Sequence, residues 1–411
     1  VVKWSGRAMR PDEVPGLVAE AVGRMSAGRP RPVEIEIPPD VLEASFAPDP
    51  PGRVAPWPAQ PAPDPAGLEE MAPILAGAVR PLILAGGGML AASAWNELRA
   101  VAECLEAPVL MTANAKGALS SRHRLACDGL TARRLLDGAD VILAVGTRFT
   151  RLGGGPWRLR PEQVLLRIDA DPAELSRDGP PRVAVEADAR TALAALASLL
   201  PADNSGGWHE LEEIRREAEA AASSLQPQAA YGAVLRDELS DDTIVIPGMT
   251  QLGYWSRVGF PVYEPRTYLT SGYQGTLGFE LPTGLGAQAG QPERRVVILV
   301  GDGGFLFNVQ ELATAAQHGL PAISVVFDDG GFGNVRRIQR QRFGREIASE
   351  LRNPDFVRLA ESFGVSGIPA DGPEGLRVAL RRALAEPGPA VIVVKVGEMA
   401  DPWPLLLGAA A

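Results

Sequence analysis

Apolar positions along the chain fall into two rhythms, one helical and one of short continuous runs. After Pro11, Val14, Leu17, Val18, Ala21 and Val22 recur at helical spacing, which predicts a helix over 11–28. PRPVEIEIPPDVL (30–42) alternates Val33, Ile35 and Ile37 with Glu34 and Glu36, a short strand halted by two prolines. Then come buried-type strands in PLILAGGGM (81–89), APVLMTA (107–113), ADVILAVGT (139–147) and QVLLRIDADP (163–172). A second set lies in DTIVIPG (242–248), RVVILVGDG (295–303), AISVVFDD (322–329) and PAVIVVKV (389–396). Apolar strands alternating with helical stretches predict two doubly wound parallel α/β sheets. Between them, residues 43–66 are crowded with Pro and Ala and read as a stiff tether, and a second linker is expected over 201–226, around SLLPADNSGG (198–207). The expected division is therefore 1–42, a linker over 43–66, a central unit over 67–200, a linker over 201–226 and a last unit over 227–400.

Composition narrows the class. With 411 residues, 46% hydrophobic and 22% charged, the chain has material for two or three cores. A net charge of −10 argues against nucleic acid or an anionic membrane as partner. No apolar run approaches the roughly 18–20 residues that span a bilayer, and a cytoplasmic location is expected. Cys104 and Cys127 fit neither a disulfide framework nor a metal spacing and read as reduced thiols. The chain begins at Val1 without an initiator methionine or a clear element start, which suggests a fragment or a chain that has lost its front.

The chemistry is concentrated in VVILVGDGGFLFNVQEL (296–312), where a buried strand runs into Gly301-Asp302-Gly303-Gly304 and then a helical pattern. Backbone N–H groups at a helix start suit a phosphate, and a carboxylate among them suits a hard cation. Mg²⁺ commonly shares its oxygen ligands with phosphate, so the two features together describe a metal–phosphate site. Alone, GDGG is more often a plain turn. The second half is AISVVFDDGGFGN, another buried strand ending in Asp328, Asp329, Gly330 and Gly331. With both strands in one parallel sheet, the helix expected near 308–318 returns the chain to the same edge. Asp302 and Asp329 then face one site, and the Gly331 carbonyl completes the protein's share of the shell.

From GDGG to FGN this stretch resembles the thiamine diphosphate motif, which opens with GDG and closes about thirty residues later on a pair of Asn or Asp. The resemblance implies that Asp302, Asp329 and the carbonyl of Gly331 bind Mg²⁺. The amides of Gly303 and Gly304 would hold the diphosphate, with Gly301, Phe332 and Gly333 as further cofactor-binding candidates. Many members carry Asn at the position of Asp329. SGYQGTLGFELPTGLGAQAG (271–290) is similar to the segment beneath the cofactor's rings. On that match the carbonyl of Gly275 accepts from the cofactor's 4′-amino group, Thr276 follows it, and Leu277 is the wedge that bends the cofactor. IPGMTQLGYW (246–255) corresponds to the loop over the diphosphate, with Met249, Thr250 and Gln251 as candidates.

Residues 67–200 resemble the central domain of acetolactate synthase-like enzymes, residues 227–400 their diphosphate-binding domain, and residues 1–42 the tail end of their pyrimidine-binding domain. The resemblance implies a Mg²⁺- and thiamine diphosphate-dependent lyase or transferase, a 2-oxo acid decarboxylase or carboligase, working as a homodimer or homotetramer. The stretch WSRVGFPVYEPRTY (255–268) and the absence of a flavin signature favour a decarboxylase. RFTRLGGGPW (148–157) lacks the paired aspartates of flavin-holding relatives, so FAD is not expected, and GGG at 86–88 lacks the G-x-G-x-x-G spacing of a dinucleotide turn. The activating glutamate of this family has no match among Asp12, Glu13, Glu20, Glu34, Glu36 and Asp40. The alternatives are therefore a non-catalytic cofactor-binding remnant or an unrelated metal-dependent phosphate-binding enzyme. His123, His209 and His318 are scattered, with His318 expected at a helix end or on the surface. NVRRIQRQRFGRE (334–346) reads as a solvated basic helix, with Arg336 or Arg337 as candidates to attract an anionic substrate.

Overall fold

The computed structural model describes residues 2–47, 62–149, 159–177, 180–201, 207–272 and 274–407. Much of the Pro-rich tether, residues 150–157 of RFTRLGGGPW and residues 202–206 of the second linker lie outside them.

Parallel strands organise everything described. β1 (Ser5–Arg7) pairs with β2 (Glu34–Glu36), and the helix Val14–Ser26 joins them. This small unit docks on the next through Arg29, which reaches the fully buried Glu174 at 2.9 Å, and through Arg31 paired with Asp171.

The central sheet contains β3 (Pro81–Ala85), β4 (Val109–Met111), β5 (Ala126–Cys127), β6 (Val141–Val145), β7 (Val164–Asp169) and β8 (Val183–Glu186), in the order β5-β4-β3-β6-β7-β8. The order reverses between β3 and β6, as in a doubly wound sheet. Every residue of β3 and β6 is buried, as parallel strands covered on both faces by helices should be.

The third sheet holds β9 (Ile244–Pro247), β10 (Val296–Gly301), β11 (Ile323–Asp328), β12 (Ser366–Asp371) and β13 (Ala390–Lys395), ordered β12-β13-β11-β10-β9. Its two faces feed separate cores, because side chains alternate along a strand. Val297 and Leu299 join Val325, Phe327, Ile392 and Val394 on one face. Val296, Ile298 and Val300 join Val326, Val391 and Val393 on the other.

The stretch expected as a second linker is largely built structure. Residues Leu211–Ser224 form a helix burying Leu211, Ile214 and Ala222. Trp255 donates to the Ala222 carbonyl at 2.8 Å, and Trp208 donates to the Pro81 carbonyl at 2.7 Å. Its Glu, Arg and Ala residues are strong helix formers, and three buried contacts suffice to seat it. Among the described residues no helix is long and apolar enough to cross a membrane, and Cys104 and Cys127 are not joined in a disulfide.

Candidate active site

β10 and β11 lie side by side in register, Gly301 opposite Phe327, so their carboxyl ends deliver Asp302 and Asp328–Asp329 to one edge of the sheet. Asp302 opens the short helix Asp302–Phe307 and is buried. Its Oδ1 accepts from the Gly303 amide (2.8 Å), and its Oδ2 accepts from the Gly331 amide (3.1 Å) and from Asn353 Nδ2 (2.6 Å). The same Gly331 amide donates to Asp329 Oδ1 at 3.2 Å. Asn353 also donates to Asp328 Oδ1 at 2.7 Å, and Asp328 is paired with Lys395.

Three carboxylates thus meet one ammonium. Arg336 offsets part of the remaining charge but is itself paired with Glu346 at 3.4 Å. Burial, reinforced by the Asp302 charge, pushes the Asp329 carboxyl up to about 6. Burial likewise raises Asp302. The Oδ1 of Asn353 is shielded from solvent and has no partner among the described residues. A cluster with surplus negative charge and an unused oxygen fits a divalent cation. Among the described residues no group of three His, Cys, Asp or Glu side chains forms a metal cage. Mg²⁺ commonly takes only one or two carboxylates and shares the rest of its oxygen ligands with phosphate and water.

Backbone shape is set by glycine. Gly330 has φ +68°, and a Cβ on Gly331 would lie 2.6 Å from the Ser349 carbonyl. A side chain there would push apart the bridge that brings Gly331 to the two carboxylates.

The facing wall comes from β9. Beyond it Met249 leads to Thr250, whose Oγ1 caps the helix Gln251–Gly259 by accepting from the Gly253 amide at 2.9 Å. Met249 is held from behind by a fully buried carboxyl, Glu280, whose Oε1 accepts from the Met249 amide at 3.0 Å. Burial raises the Glu280 carboxyl above its ordinary range. The Oε1 of Gln251 is shielded and unpartnered among the described residues. Met249 Sδ lies 3.2 Å from where a Cβ on Gly275 would sit.

These walls enclose a cavity of about 430 Å³, the size of a cofactor or substrate site. It is lined by Met249, Thr250, Gln251, Gly275, Leu277, Gly301, Asp302, Gly303, Gly304, Asp329, Gly331, Phe332 and Gly333. Thr276 is exposed and outside the lining. Gly303 differs from the expectation of an amide open to phosphate, because its N–H is taken by Asp302. That leaves the Gly304 amide in the first helical turn, where no intrahelical acceptor exists. Arg336 and Arg337 are not cavity residues, since Arg336 turns to Glu346 and Arg337 to Asp401 (3.3 Å). His318 ends the helix Leu312–His318 and is exposed. Asn353, Glu280, Arg257, Tyr254 and Trp403 belong to the site or its support and were not expected. Asn353 stands in a polar turn just before the helix Phe356–Ser362, where Asn-Pro-Asp reads as a start signal and nothing more.

Comparison with known proteins places the chain in a family. Residues 248–394 match the C-terminal TPP binding domain of thiamine pyrophosphate enzymes, and residues 68–196 match their central domain. A probable 2-ketoarginine decarboxylase of Pseudomonas aeruginosa is 34% identical over 406 residues, covering 96% of this chain and 72% of that protein. The acetolactate synthase isozyme 1 large subunit of Escherichia coli is 30% identical over 413 residues, 97% and 73% of the two chains. The crystal structure of benzoylformate decarboxylase from Polynucleobacter necessarius shares the fold with a TM-score of 0.80, at 24% identity, over 98% of this chain and 77% of that one. The chain belongs to the thiamine pyrophosphate enzymes, in the group that contains acetolactate synthases and 2-oxo acid decarboxylases.

Proposed function

We propose that the cavity takes thiamine diphosphate anchored by Mg²⁺, and that the chain serves decarboxylation of a 2-oxo acid, with release of an aldehyde or transfer to an acceptor. Asp302, Asp329 and the Gly331 carbonyl hold the metal, with Asn353 Oδ1 available beside them. Thr250, Gln251 and the Gly304 amide face the diphosphate, and the Met249 side chain reaches from that loop towards Gly275. The Gly275 carbonyl meets the aminopyrimidine, and Leu277 keeps the cofactor bent. When bound, the cofactor supplies stabilisation of a carbanion. The protein's contribution is to fix its orientation, exclude water and neutralise its phosphates.

One observation carries this reading. A single amide, that of Gly331, donates to Asp302 and Asp329 at 3.1 and 3.2 Å, so both carboxylates converge at the mouths of adjacent parallel strands. Gly275 and Thr276 are exposed in the single chain, and we assign their cover to a second copy in a homodimer or homotetramer.

The test is calorimetric titration of Mg²⁺ with thiamine diphosphate, alongside CO₂ release from pyruvate and larger 2-oxo acids. Asp302→Ala is expected to abolish cofactor binding; binding that survives this substitution refutes the site. Tight binding with no turnover would favour the non-catalytic alternative.

A further inference from the structure

Arg257 lies near the end of the helix Gln251–Gly259 and lines the cavity, half-buried. Among the described residues its guanidinium meets no carboxylate. Its side-chain contacts are Met249 Sδ at 4.0 Å and the Tyr254 ring, 5.5 Å from Cζ to centroid. A guanidinium carries five N–H donors in a rigid fork and matches a carboxylate in two-point geometry. Here that fork faces a thioether and an aromatic ring. Ser271, on the lining of the same cavity, has an Oγ that is shielded and without a partner among the described residues. A guanidinium with one weak sulfur acceptor and a hydroxyl with no partner among the described residues therefore line one cavity.

Their position separates them from the metal end. Thr250, at the start of the helix, sits against Gly301, its Cγ2 3.3 Å from where a Cβ on Gly301 would be. Arg257 follows six residues after Gln251, about 9 Å further along the axis. Met249 bridges Arg257 to Gly275, so the guanidinium belongs to the end of the cavity assigned to the cofactor's rings.

We infer that Arg257, with Ser271 on the same lining, holds a second, distal carboxylate of the substrate, so that the site selects a 2-oxo dicarboxylate over 2-oxo acids with apolar or cationic tails. This rests on the reading that a 2-oxo acid is processed in this cavity. The distal group is favoured over the reacting carboxylate on energetic grounds. Decarboxylation discharges the reacting carboxylate, so a cation gripping it would stabilise the ground state more than the transition state and slow the reaction. A distal carboxylate keeps its charge throughout, and its binding is used for orientation. A cationic tail would meet an unpaired guanidinium and be repelled.

The test uses two acids with the same five-carbon chain, 2-oxoglutarate and 2-oxopentanoate, which differ only in a terminal carboxylate or methyl. Each is titrated calorimetrically into the full chain with and without Mg²⁺ and thiamine diphosphate. The wild type should bind 2-oxoglutarate at least about ten-fold more tightly, with the preference shrinking at high salt. R257Q should erase the preference, R257K should keep part of it, and both should bind thiamine diphosphate within about two-fold of the wild type, which also shows that they fold. Equal binding of the two acids, binding of neither, or a preference that survives R257Q overturns the inference. If the cofactor fails to bind while the Arg257-dependent preference persists, the cofactor reading falls and this one stands; cofactor binding with no preference has the reverse meaning.

Discussion

Replacing Asp329 with asparagine in the metal-free chain should stabilise it, although Asp329 is a proposed ligand. The folded chain holds the Asp329 carboxyl at about 6, against an ordinary value of 3.8, through burial and the neighbouring Asp302 charge. A difference of about 2 units corresponds to roughly 3 kcal/mol. Asp329 is partly solvated, and screening reduces this to about 1–2 kcal/mol. Between about pH 4 and 6 the folded chain keeps a proton that the unfolded chain has released, so stability falls as pH rises through that window and stays low above it. The amide introduced by D329N keeps an oxygen for the Gly331 N–H and carries no charge. Urea denaturation followed by tryptophan fluorescence in EDTA should therefore find D329N more stable by about 1–2 kcal/mol at pH 8, with the advantage fading towards pH 4. Excess Mg²⁺ with thiamine diphosphate should stabilise the wild type more than the variant, because the cation meets an extra carboxylate there. A variant no more stable than the wild type at pH 8, or an advantage independent of pH, would refute the electrostatic account of the cluster.

Other consequences follow from the same geometry. Asn353→Ala removes the donor shared by Asp302 and Asp328; it should cost about 1–3 kcal/mol and weaken Mg²⁺ binding in a calorimetric titration. Gly248→Ala would place a Cβ 2.4 Å from Glu280 Oε1 and 2.7 Å from the Leu299 carbonyl. It should destabilise the chain by about 1–3 kcal/mol in the same denaturation assay, whether or not cofactor is present. Lys116 is fully buried, which lowers its amine from 10.5 to about 8. Between those values the unfolded chain binds the extra proton, so stability should rise with pH from about 8 to 10.5, and K116M should flatten that slope.

Strands covered on both faces were legible in the sequence, because PLILA, VVILVG and ISVVFD are continuous apolar runs. The strands not foreseen lie at sheet edges or in the small first sheet. β5 has two residues, β8 alternates buried and exposed, and β12 carries Pro369. An edge strand needs one covered face and tolerates proline, so its pattern is faint. The carboxylate pair was legible for a related reason: Asp302 and Asp329 each end a central strand, and a helix returning between adjacent parallel strands leaves few other places for them. Asn353 carries no such mark, since its contact with Asp302 spans 51 residues and depends on tertiary packing. Arg257 was equally hidden; only the packed structure shows which arginines lack a carboxylate.

The helix Gln251–Gly259 joins two parts of the molecule that the sequence keeps far apart. Its first turn, capped by Thr250, faces the cavity, while the carbonyls of Ser256 and Arg257 in its last turn are each gripped by Lys116 of the central unit at 3.1 Å. A rod of nine residues is about 13 Å long and stiff over that distance. Any displacement of the central unit must therefore tug on this rod and arrive, as a tilt, at the cavity wall formed by Thr250 and Gln251, which makes the interdomain seam a mechanical input to the shape of that wall.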